Sequence, residues 1–292
     1  MFVDIIFRAF MNYEDNPNSI KYYVKQYLLS NKERFKNKVI VDFPAGNGIT
    51  SNIIKNIGAT PLAFDLFPEY FIVENLKCTR AEIAKGIPLE SNSADALICQ
   101  EGIEHFQDQF QALREFNRIL KPNGTLLITT PNYSNLRARF SYLLTESERF
   151  HSIMPPNELD SIWMSEKNIS DEIYFGHIFL IGIQKLRVIA KLSGFKIKKV
   201  HSTKIKSTSL LLFLLHYPLI YMSSLITYRK NLRKNKLFDS VTKRKVYKEI
   251  FKLNTCFKVL TNSHLMVEFE KESEFAEVGK NFKSQHKEFG VT

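Results

Sequence analysis

Cysteine is scarce in this sequence, and its distribution excludes two classes of small scaffold. The 292 residues include three cysteines, Cys78, Cys99 and Cys256. An odd number of widely spaced cysteines fits neither a disulfide framework nor the paired spacing of a structural zinc site. We therefore expect a protein of a reducing, cytoplasmic compartment that has no metal site.

Targeting signals and low-complexity tracts are also missing from the pattern of the sequence. The apolar stretch Met1 to Phe10 is interrupted by Asp4 and Arg8, and it has neither the basic start nor the cleavage site of a secretory signal. With 44% hydrophobic and 24% charged residues, the composition is that of an ordinary globular protein. One substantial hydrophobic core is expected.

What the chain has in excess is positive charge. There are 41 lysines and arginines against 30 aspartates and glutamates, which gives a formal net charge of +11. Such an excess indicates an anionic partner, which is nucleic acid, a membrane surface or a phosphorylated substrate. Composition alone does not choose among these partners.

Short β-rich runs alternate with helical patterns from about Lys38 onward. The runs predicted as strands are 38–42, 60–65, 95–99, 125–129, 195–200 and 265–269. Apolar residues at helical spacing lie between several of these runs, and the tetrapeptide Lys121-Pro122-Asn123-Gly124 is typical of a turn. This alternation predicts an α/β fold, a doubly wound and mostly parallel sheet with helices on both faces.

Two long stretches interrupt the alternation and define the expected domain organisation. We predict an N-terminal helical segment at 1–37, a core at 38–200 with an insertion at 132–176, and an apolar and basic helical insertion at 201–264. The last strand of the core is expected at 265–270. Residues 271–292 are rich in Lys, Glu, Ser and Gly and predict a mobile tail.

A glycine turn lies between the first buried strand and the helix after it, in the segment Val41 to Gly48. Glycines there let the backbone turn tightly and let a ligand approach closely. Asp65 ends the next strand, where a carboxylate can accept hydrogen bonds from both ribose hydroxyls of an adenosine. The two features together predict a nucleotide-type site.

At these residues the sequence resembles the class I S-adenosylmethionine-dependent methyltransferases, and within them the type 11 group of small-molecule enzymes. Asp42, Gly46 and Gly48 match the acidic residue and alternating glycines of the family's first motif. Pro44 departs from the motif, because a glycine is usual there, and it lacks the backbone amide that would face a phosphate. The resemblance implies a Rossmann-like fold and S-adenosyl-L-methionine as the cofactor.

Further segments, within roughly residues 20 to 200, resemble the family in order. Ala81-Glu82-Ile83 is similar to the segment whose acidic side chain accepts a hydrogen bond from the adenine amino group and whose apolar residue covers the ring. Cys99 to His105 resembles the family's Glu-x-x-Glu-His segment, and Arg118 to Gly124 its Arg-x-Leu-Lys-Pro-Gly-Gly turn, with Asn123 in place of a glycine. The cofactor-binding residues implied by the resemblance are Asp42, Pro44, Gly46, Gly48, Asp65, Leu66, Glu82, Ile83 and Gln100.

Two histidines are candidates for catalysis at the expected ligand-binding edge of the sheet. His177 resembles a histidine of relatives that carry a Thr-Pro-Asn stretch, here at 130–132. It is a candidate for acceptor positioning or a general base, which is needed only where a hydroxyl loses a proton. A capping or hydrogen-bonding role remains the alternative for His177, and a structural hydrogen bond for the second candidate, His105.

The expected reaction is methyl transfer to a small or lipid-linked acceptor, on oxygen in preference to carbon or nitrogen. Two alternatives remain open at this point. One is a catalytically inactive, cofactor-binding protein with a regulatory or membrane-associated role, for which Pro44 is the sequence reason. The other is an RNA methyltransferase.

An apolar run from Ser209 to Tyr228 approaches the length of a membrane span, and basic residues follow it as far as Lys248. A single crossing conflicts with the expected topology, because strands before and after the run belong to one sheet. One interpretation is a buried helix or hairpin, broken at Pro218, that packs on the core or forms a homodimer contact. Another is an in-plane or re-entrant apolar element, with 209–248 on an anionic membrane surface at the inner face. Nucleic-acid binding is the third, although Phe238 and Tyr247 are the only interleaved aromatics.

Overall fold

A seven-stranded sheet forms the centre of the computed structural model, which describes residues 13–147, 155–158, 162–163, 174–234 and 236–286. Its strands are β1 (Val39–Asp42), β2 (Thr60–Asp65), β3 (Cys78–Arg80), β4 (Ala94–Gln100), β5 (Leu120–Pro131), β8 (Phe195–Val200) and β9 (His264–Lys271). A separate antiparallel pair consists of β6 (Ile162–Trp163) and β7 (Tyr174–Phe175). The order across the large sheet is β3-β2-β1-β4-β5-β9-β8. β1 to β5 are parallel, and β9 is antiparallel to both of its neighbours.

Ten α-helices lie in the described part of the chain. They are α1 (Ile20–Ser30), α2 (Lys32–Phe35), α3 (Ile49–Asn56), α4 (Gln109–Ile119), α5 (Leu136–Thr145), α6 (Ile183–Leu192), α7 (Ser207–Lys234), α8 (Ser240–Asn254), α9 (Phe257–Thr261) and α10 (Phe275–Ser284). Short 3₁₀ turns occupy Tyr13–Asp15, Pro68–Tyr70 and Ile103–His105.

Alternate residues of the central strands enter two hydrophobic clusters, one on each face of the sheet. Val41 and Leu97 pack with Phe116 of α4 on one face. Ile40 and Ile98 pack with neighbours from α1 and α3 on the other. Because successive strand side chains point to opposite faces, a parallel sheet covered on both sides requires continuous apolar runs such as Val39 to Val41. The predicted α/β, Rossmann-like fold is confirmed.

The turn at Lys121 to Gly124 lies within β5 rather than before it. The pairing of β4 with β5 shifts register between Ala94 and Ala96, and the extra residues of β5 form the turn. Asn123 has a φ of +62°, which asparagine tolerates better than most residues. β5 is therefore longer than the predicted strand at 125–129.

The mobile tail predicted at 271–292 differs from the structure over most of its length. Lys271 still belongs to β9 and is buried, and α10 follows at Phe275–Ser284. Val278 of α10 is buried, and the guanidinium carbon of Arg114 lies 4.2 Å from the ring centroid of Phe275. Phe275, Val278 and Phe282 have helical spacing, a signal that the prediction from composition did not use, and residues 287–292 lie outside the described part.

The apolar run forms one continuous helix, α7, that is largely exposed, so the interpretation as a buried element broken at Pro218 was wrong, whereas a homodimer contact stays a prediction. Its inner face packs on α8 and α9 through aromatic pairs, with ring centroids 5.1 Å apart for Phe213 and Phe257 and 5.4 Å apart for Tyr221 and Phe251. Pro218 lies within the exposed part of the helix, where losing one amide donor is tolerated. In the described residues α7 is the one helix long and apolar enough to cross a membrane, and none of its most apolar 18-residue window is buried.

Candidate cofactor and acceptor site

A cavity of about 690 Å³ opens at the carboxyl ends of β1, β2 and β4. This is the edge at which ligands bind in open α/β sheets. Five of the residues predicted from the sequence to bind a cofactor line it: Pro44, Gly46, Asp65, Leu66 and Gln100. Strands that are distant along the chain therefore bring these residues together.

The two glycines of the turn have different roles. Gly46 has a φ of +53°, and a Cβ atom added there would meet nothing within 4 Å, so its backbone borders open space in the cavity. Gly48 has a φ of +87°, and a Cβ atom there would lie 2.6 Å from a ring carbon of Phe71. Gly46 thus keeps the cavity open, whereas Gly48 allows close packing beneath the turn.

Asp65 is held in place by two backbone amides. Its Oδ2 accepts a hydrogen bond from the Gly46 amide at 2.7 Å, and its Oδ1 accepts one from the Phe67 amide at 2.8 Å. Each carboxylate oxygen keeps acceptor capacity for a further donor. The side chain is therefore preorganised to accept hydrogen bonds from a bound diol such as a ribose.

Asp42 supports the turn from below and does not line the cavity. It is completely buried, and its Oδ2 accepts a hydrogen bond from Ser51 Oγ at 2.6 Å, while its Oδ1 has no hydrogen-bond partner. Burial raises the pKa of Asp42 to about 7 despite the Ser51 hydrogen bond. Gly48 and Asp42 are thus structural members of the motif.

Pro44 packs against Gly102, which follows β4. A Cβ atom added at Gly102 would lie 2.3 Å from Cδ of Pro44. The proline that departs from the family motif is therefore accommodated by a glycine on the neighbouring strand end.

Glu82 and Ile83 do not reach the cavity. Glu82 forms an ion pair with Lys85 at 2.6 Å, and Ile83 packs against the core cluster. Neither is among the residues that line the cavity. Their predicted contact with an adenine stays a prediction.

Sequence reasoning missed the residues that close the cavity. Four of them, Tyr13, Ser19, Ile20 and Lys21, come from the N-terminal segment, and five aromatic residues come from loops and β7: Phe67, Tyr70, Phe106, Tyr174 and Phe175. Lys21 Nζ donates to Asn47 Oδ1 at 3.2 Å, and burial lowers the pKa of this lysine. No local motif marks such residues, because tertiary packing alone brings them to the cavity.

Both predicted catalytic histidines lie together at one end of the site. The ring centroids of His105 and His177 are 5.1 Å apart, and His105 lines the cavity. Glu104 lies beside them, completely buried, and its Oε2 accepts a hydrogen bond from Thr130 Oγ1 at 2.9 Å. Burial, and then the nearby Glu101 carboxylate, raise the pKa of Glu104 well above its usual range. Ligand atoms of Glu104, His105 and His177 all lie within 4.8 Å of one another, although the sequence predicted no metal site.

Comparison with known proteins agrees with this geometry. Residues 18–200 match a family described as "Methyltransferase domain". The chain is 28% identical over 125 residues to the ubiquinone biosynthesis O-methyltransferase of Xanthomonas campestris pv. campestris, a match that covers 40% of this chain and 52% of that one. It is 30% identical over 97 residues to the demethylmenaquinone methyltransferase of Chlorobaculum tepidum, covering 32% of this chain and 40% of that one. The chain thus spans about half the length, or less, of these curated relatives.

The fold itself has counterparts among solved structures. One is a SAM-dependent methyltransferase from Archaeoglobus fulgidus, with a TM-score of 0.50 and 14% sequence identity. The similarity covers 89% of this chain and 98% of that one.

Proposed function

This chain belongs to the class I S-adenosylmethionine-dependent methyltransferases and uses S-adenosyl-L-methionine, and we propose that it methylates an oxygen atom of a small, lipid-linked acceptor. The observation that carries the proposal is the composition of the site. A cavity with a fixed carboxylate at its floor is bordered by aromatic side chains and by His105, and the ring of His177 lies next to that of His105.

The cofactor end of the cavity suits an adenosine joined to a chain that carries no phosphate, because Pro44 offers no backbone amide there. The Asp65 carboxylate is placed to accept hydrogen bonds from the ribose hydroxyls, and Gly46 leaves room for close approach of the ligand. Gln100, whose Oε1 accepts a hydrogen bond from Thr50 Oγ1 at 2.9 Å, borders the same space. When bound, the cofactor supplies an electrophilic methyl group on a sulfonium.

Calorimetry on three variants tests this assignment. Asp65→Ala removes the acceptor of the ribose hydroxyls, and Gly46→Trp fills the cavity, so each is expected to abolish cofactor binding. Glu90→Ala is the matched loss of an exposed carboxylate outside the cavity, and its affinity is expected to equal that of the wild type. Undiminished affinity in both Asp65→Ala and Gly46→Trp would contradict the assignment, and weakened binding by Glu90→Ala would show that the effect is not specific to the cavity.

The acceptor end favours a flat, apolar molecule. The rings of Phe67 and Tyr174 meet edge to face with centroids 4.9 Å apart, and Phe175 lies next to Tyr174 on β7. Aromatic walls of this kind bind ring systems and exclude water. The names of the relatives, which refer to ubiquinone and demethylmenaquinone, support an acceptor of the same class, a phenol or quinol with an apolar tail.

His105 and His177 act at this end of the cavity in the proposed reaction. A hydroxyl acceptor must lose its proton as the methyl group is transferred, and groups at its oxygen must hold it in line. We assign this handling of the acceptor oxygen to the two histidines. Substitution of His177 by Gln is expected to lower kcat while leaving cofactor affinity unchanged, and equal kcat in wild type and variant would contradict the role.

Transfer of label identifies the acceptor class. The protein is incubated with methyl-labelled cofactor and with separated lipid, glycan, RNA and protein fractions of its host. Label is expected in the lipid extract, in a product that resists the hydrolysis that cleaves methyl esters. Label in RNA alone would favour the alternative of an RNA methyltransferase, and an N-methyl or C-methyl product would contradict O-methylation.

The outer face of α7 supports the lipid-linked part of the proposal. Large apolar side chains at helical spacing are exposed along it: Leu211, Leu214, Leu215, Leu219, Met222 and Ile226. The neighbouring α5 adds exposed Leu143 and Leu144. Exposed basic residues then follow at the end of α7 and on α8: Arg229, Lys230, Arg233, Lys234, Arg244, Lys245 and Lys248.

An anionic phospholipid surface complements both features. Apolar side chains on an in-plane helix enter the boundary of the acyl chains, and lysine and arginine bind the anionic head groups. The return of the chain from α7 to β9, in the same sheet as β8, agrees with a helix that lies on a membrane without crossing it. We therefore extend the proposal to peripheral binding at an anionic membrane, where a lipid-linked acceptor would be available.

Co-sedimentation with liposomes tests the membrane part. Leu214→Glu combined with Leu215→Glu is expected to abolish binding to vesicles of phosphatidylglycerol and phosphatidylcholine. The control is Ile72→Glu, because Ile72 is 70% exposed, as Leu214 is 69% exposed, but lies in the loop between β2 and β3. Unchanged sedimentation of the α7 variant, or a shift from dimer to monomer in place of lost lipid binding, would contradict membrane docking.

A further inference from the structure

We propose that Glu104, His105 and His177 form a binding site for a divalent transition-metal ion at the edge of the cofactor cavity. Two imidazoles and one carboxylate are the ligand set of many zinc, manganese and iron(II) sites. The three residues come from two segments separated by the insertion, and only the folded chain brings them together. Three independent features of the site support the proposal.

The first feature is the carboxylate of Glu104. The side chain is completely buried, and its Oε1 has no hydrogen-bond partner although its Oε2 is held by Thr130 Oγ1. A buried carboxylate without full hydrogen bonding is costly unless a cation or a proton neutralises it. A bound cation would supply the missing partner.

The second feature is the orientation of His105. Its Nδ1 lies 2.9 Å from the Phe175 carbonyl oxygen and 3.1 Å from the Gly176 carbonyl oxygen. Because a carbonyl only accepts, Nδ1 carries a proton, which leaves Nε2 as the nitrogen that can bind a metal ion. A histidine that donates its other N–H to a backbone carbonyl is the usual arrangement around a metal ion.

The third feature is the spacing of the three ligand atoms. They lie within 4.8 Å of one another. Three atoms that are each 4.8 Å apart lie about 2.8 Å from a common centre, so inward shifts of about 0.7 Å bring each one to the bond length of about 2.1 Å of a metal ligand. His177 is exposed, which leaves an open side for water or an acceptor oxygen.

The role of the ion rests on the proposed function. A cation beside the cavity would hold the acceptor oxygen and favour transfer of its proton to water on the open side of the site, because a bound Lewis acid lowers the pKa of a hydroxyl. The two histidines would then act on the acceptor through the ion. Binding of the ion itself can be measured without cofactor, acceptor or turnover.

Titration with Co²⁺ alone tests the site directly. The protein is freed of metal with a chelator, and Co²⁺ binding is followed by calorimetry and by the visible absorption of the ion. One Co²⁺ per chain is expected, with the absorption of a nitrogen- and oxygen-ligated ion. Absence of stoichiometric binding would overturn the proposal whatever the acceptor proves to be, and a failed methylation assay with intact Co²⁺ binding would overturn only the proposed function.

Variants locate the bound ion. His177→Gln and Glu104→Gln are each expected to weaken Co²⁺ binding by at least about 100-fold, because loss of an outer-shell partner alone costs about 10- to 100-fold. Thr130→Val removes such an outer partner and is expected to weaken binding within that smaller range. His216→Gln is the control, since His216 is exposed on α7 and its Nδ1 bonds to the Leu212 carbonyl. His177 is exposed, so its variant should fold, and wild-type affinity in that variant would overturn the site.

Discussion

Asp42 offers a sharp test of the electrostatics beneath the cofactor turn. The perturbation is Asp42→Asn, which keeps the shape of the side chain and an oxygen able to accept the Ser51 hydrogen bond. Burial raises the pKa of Asp42 from 3.8 to about 7 in the folded chain. The folded state therefore holds this proton more tightly than the unfolded state does.

The sign and size of the effect follow from this difference. Because the folded pKa is raised, the wild type loses stability as pH rises through the window from about 4 to about 7, and the loss is complete above it. The full difference corresponds to about 4 kcal/mol. Between about pH 5.5 and about pH 8.5, the ionisation of Asp42 lowers the free energy of unfolding of the wild type by about 2 kcal/mol. Asparagine does not titrate, so the free energy of unfolding of the variant lacks this pH-dependent decrease.

Urea denaturation of wild type and Asp42→Asn at these two pH values provides the measurement. The free energy of unfolding of the variant, relative to wild type, is expected to increase by about 2 kcal/mol from the lower to the higher pH. Asp95→Asn is a control that should show no pH-dependent difference over this window, since hydrogen bonds from Val39 and Lys121 outweigh burial and lower the pKa of Asp95, so that it is ionised in the folded and unfolded states at both pH values. A pH-independent difference for Asp42→Asn would refute the reasoning, whatever its constant offset.

Two further predictions concern packing. Gly102→Ala places a methyl group 2.3 Å from the Pro44 ring, so we expect at least about tenfold weaker cofactor binding in calorimetry, about 1.4 kcal/mol. Gly279→Ala, where nothing lies within 4 Å, is its control and should stabilise α10 by about 0.5–1 kcal/mol. Equal cofactor affinity in the wild type, Gly102→Ala and Gly279→Ala would contradict a role of the Pro44 contact in cofactor binding. Lys271→Met removes a buried ammonium that donates to Asn92 Oδ1 and to the carbonyls of Asn117 and Leu120, and urea denaturation should show a loss of about 3 kcal/mol or more. The exposed Lys280→Met should stay within about 0.5 kcal/mol of wild type, and a similarly small effect of Lys271→Met would contradict the role of this lysine.

The floor of the cofactor cavity was predictable because its chemistry is local. A glycine turn requires positive φ at defined positions, and Gly46 and Gly48 adopt it at +53° and +87°. Asp65 was found because a strand end fixes where its carboxylate lies. Asp42 and Gly48 were assigned to the cofactor by the same motif, yet they support the turn without lining the cavity.

The walls of the cavity were not predictable in this way. Lys21 precedes the core in the sequence and Tyr174 lies in its insertion, and no spacing rule connects them. Glu104, His105 and His177 illustrate the same limit, because a ligand set divided by an insertion has no recognisable spacing. Glu104 differs from other glutamates by its burial, which exists only in the folded chain.

The composition of the sequence shows the apolar run from Ser209 to Tyr228, but it does not show which of these side chains are covered by other helices. Hydropathy is a sum over residues, whereas exposure depends on what packs against each face. α8 and α9 cover the aromatic face of α7 and leave its leucines in solvent. By itself, the sequence determined the α/β fold, the family and the cofactor turn, because periodicity and backbone constraints act over a few residues. The tertiary structure alone decided which helix face is exposed and which distant side chains share the site, because both depend on contacts between segments far apart in the chain.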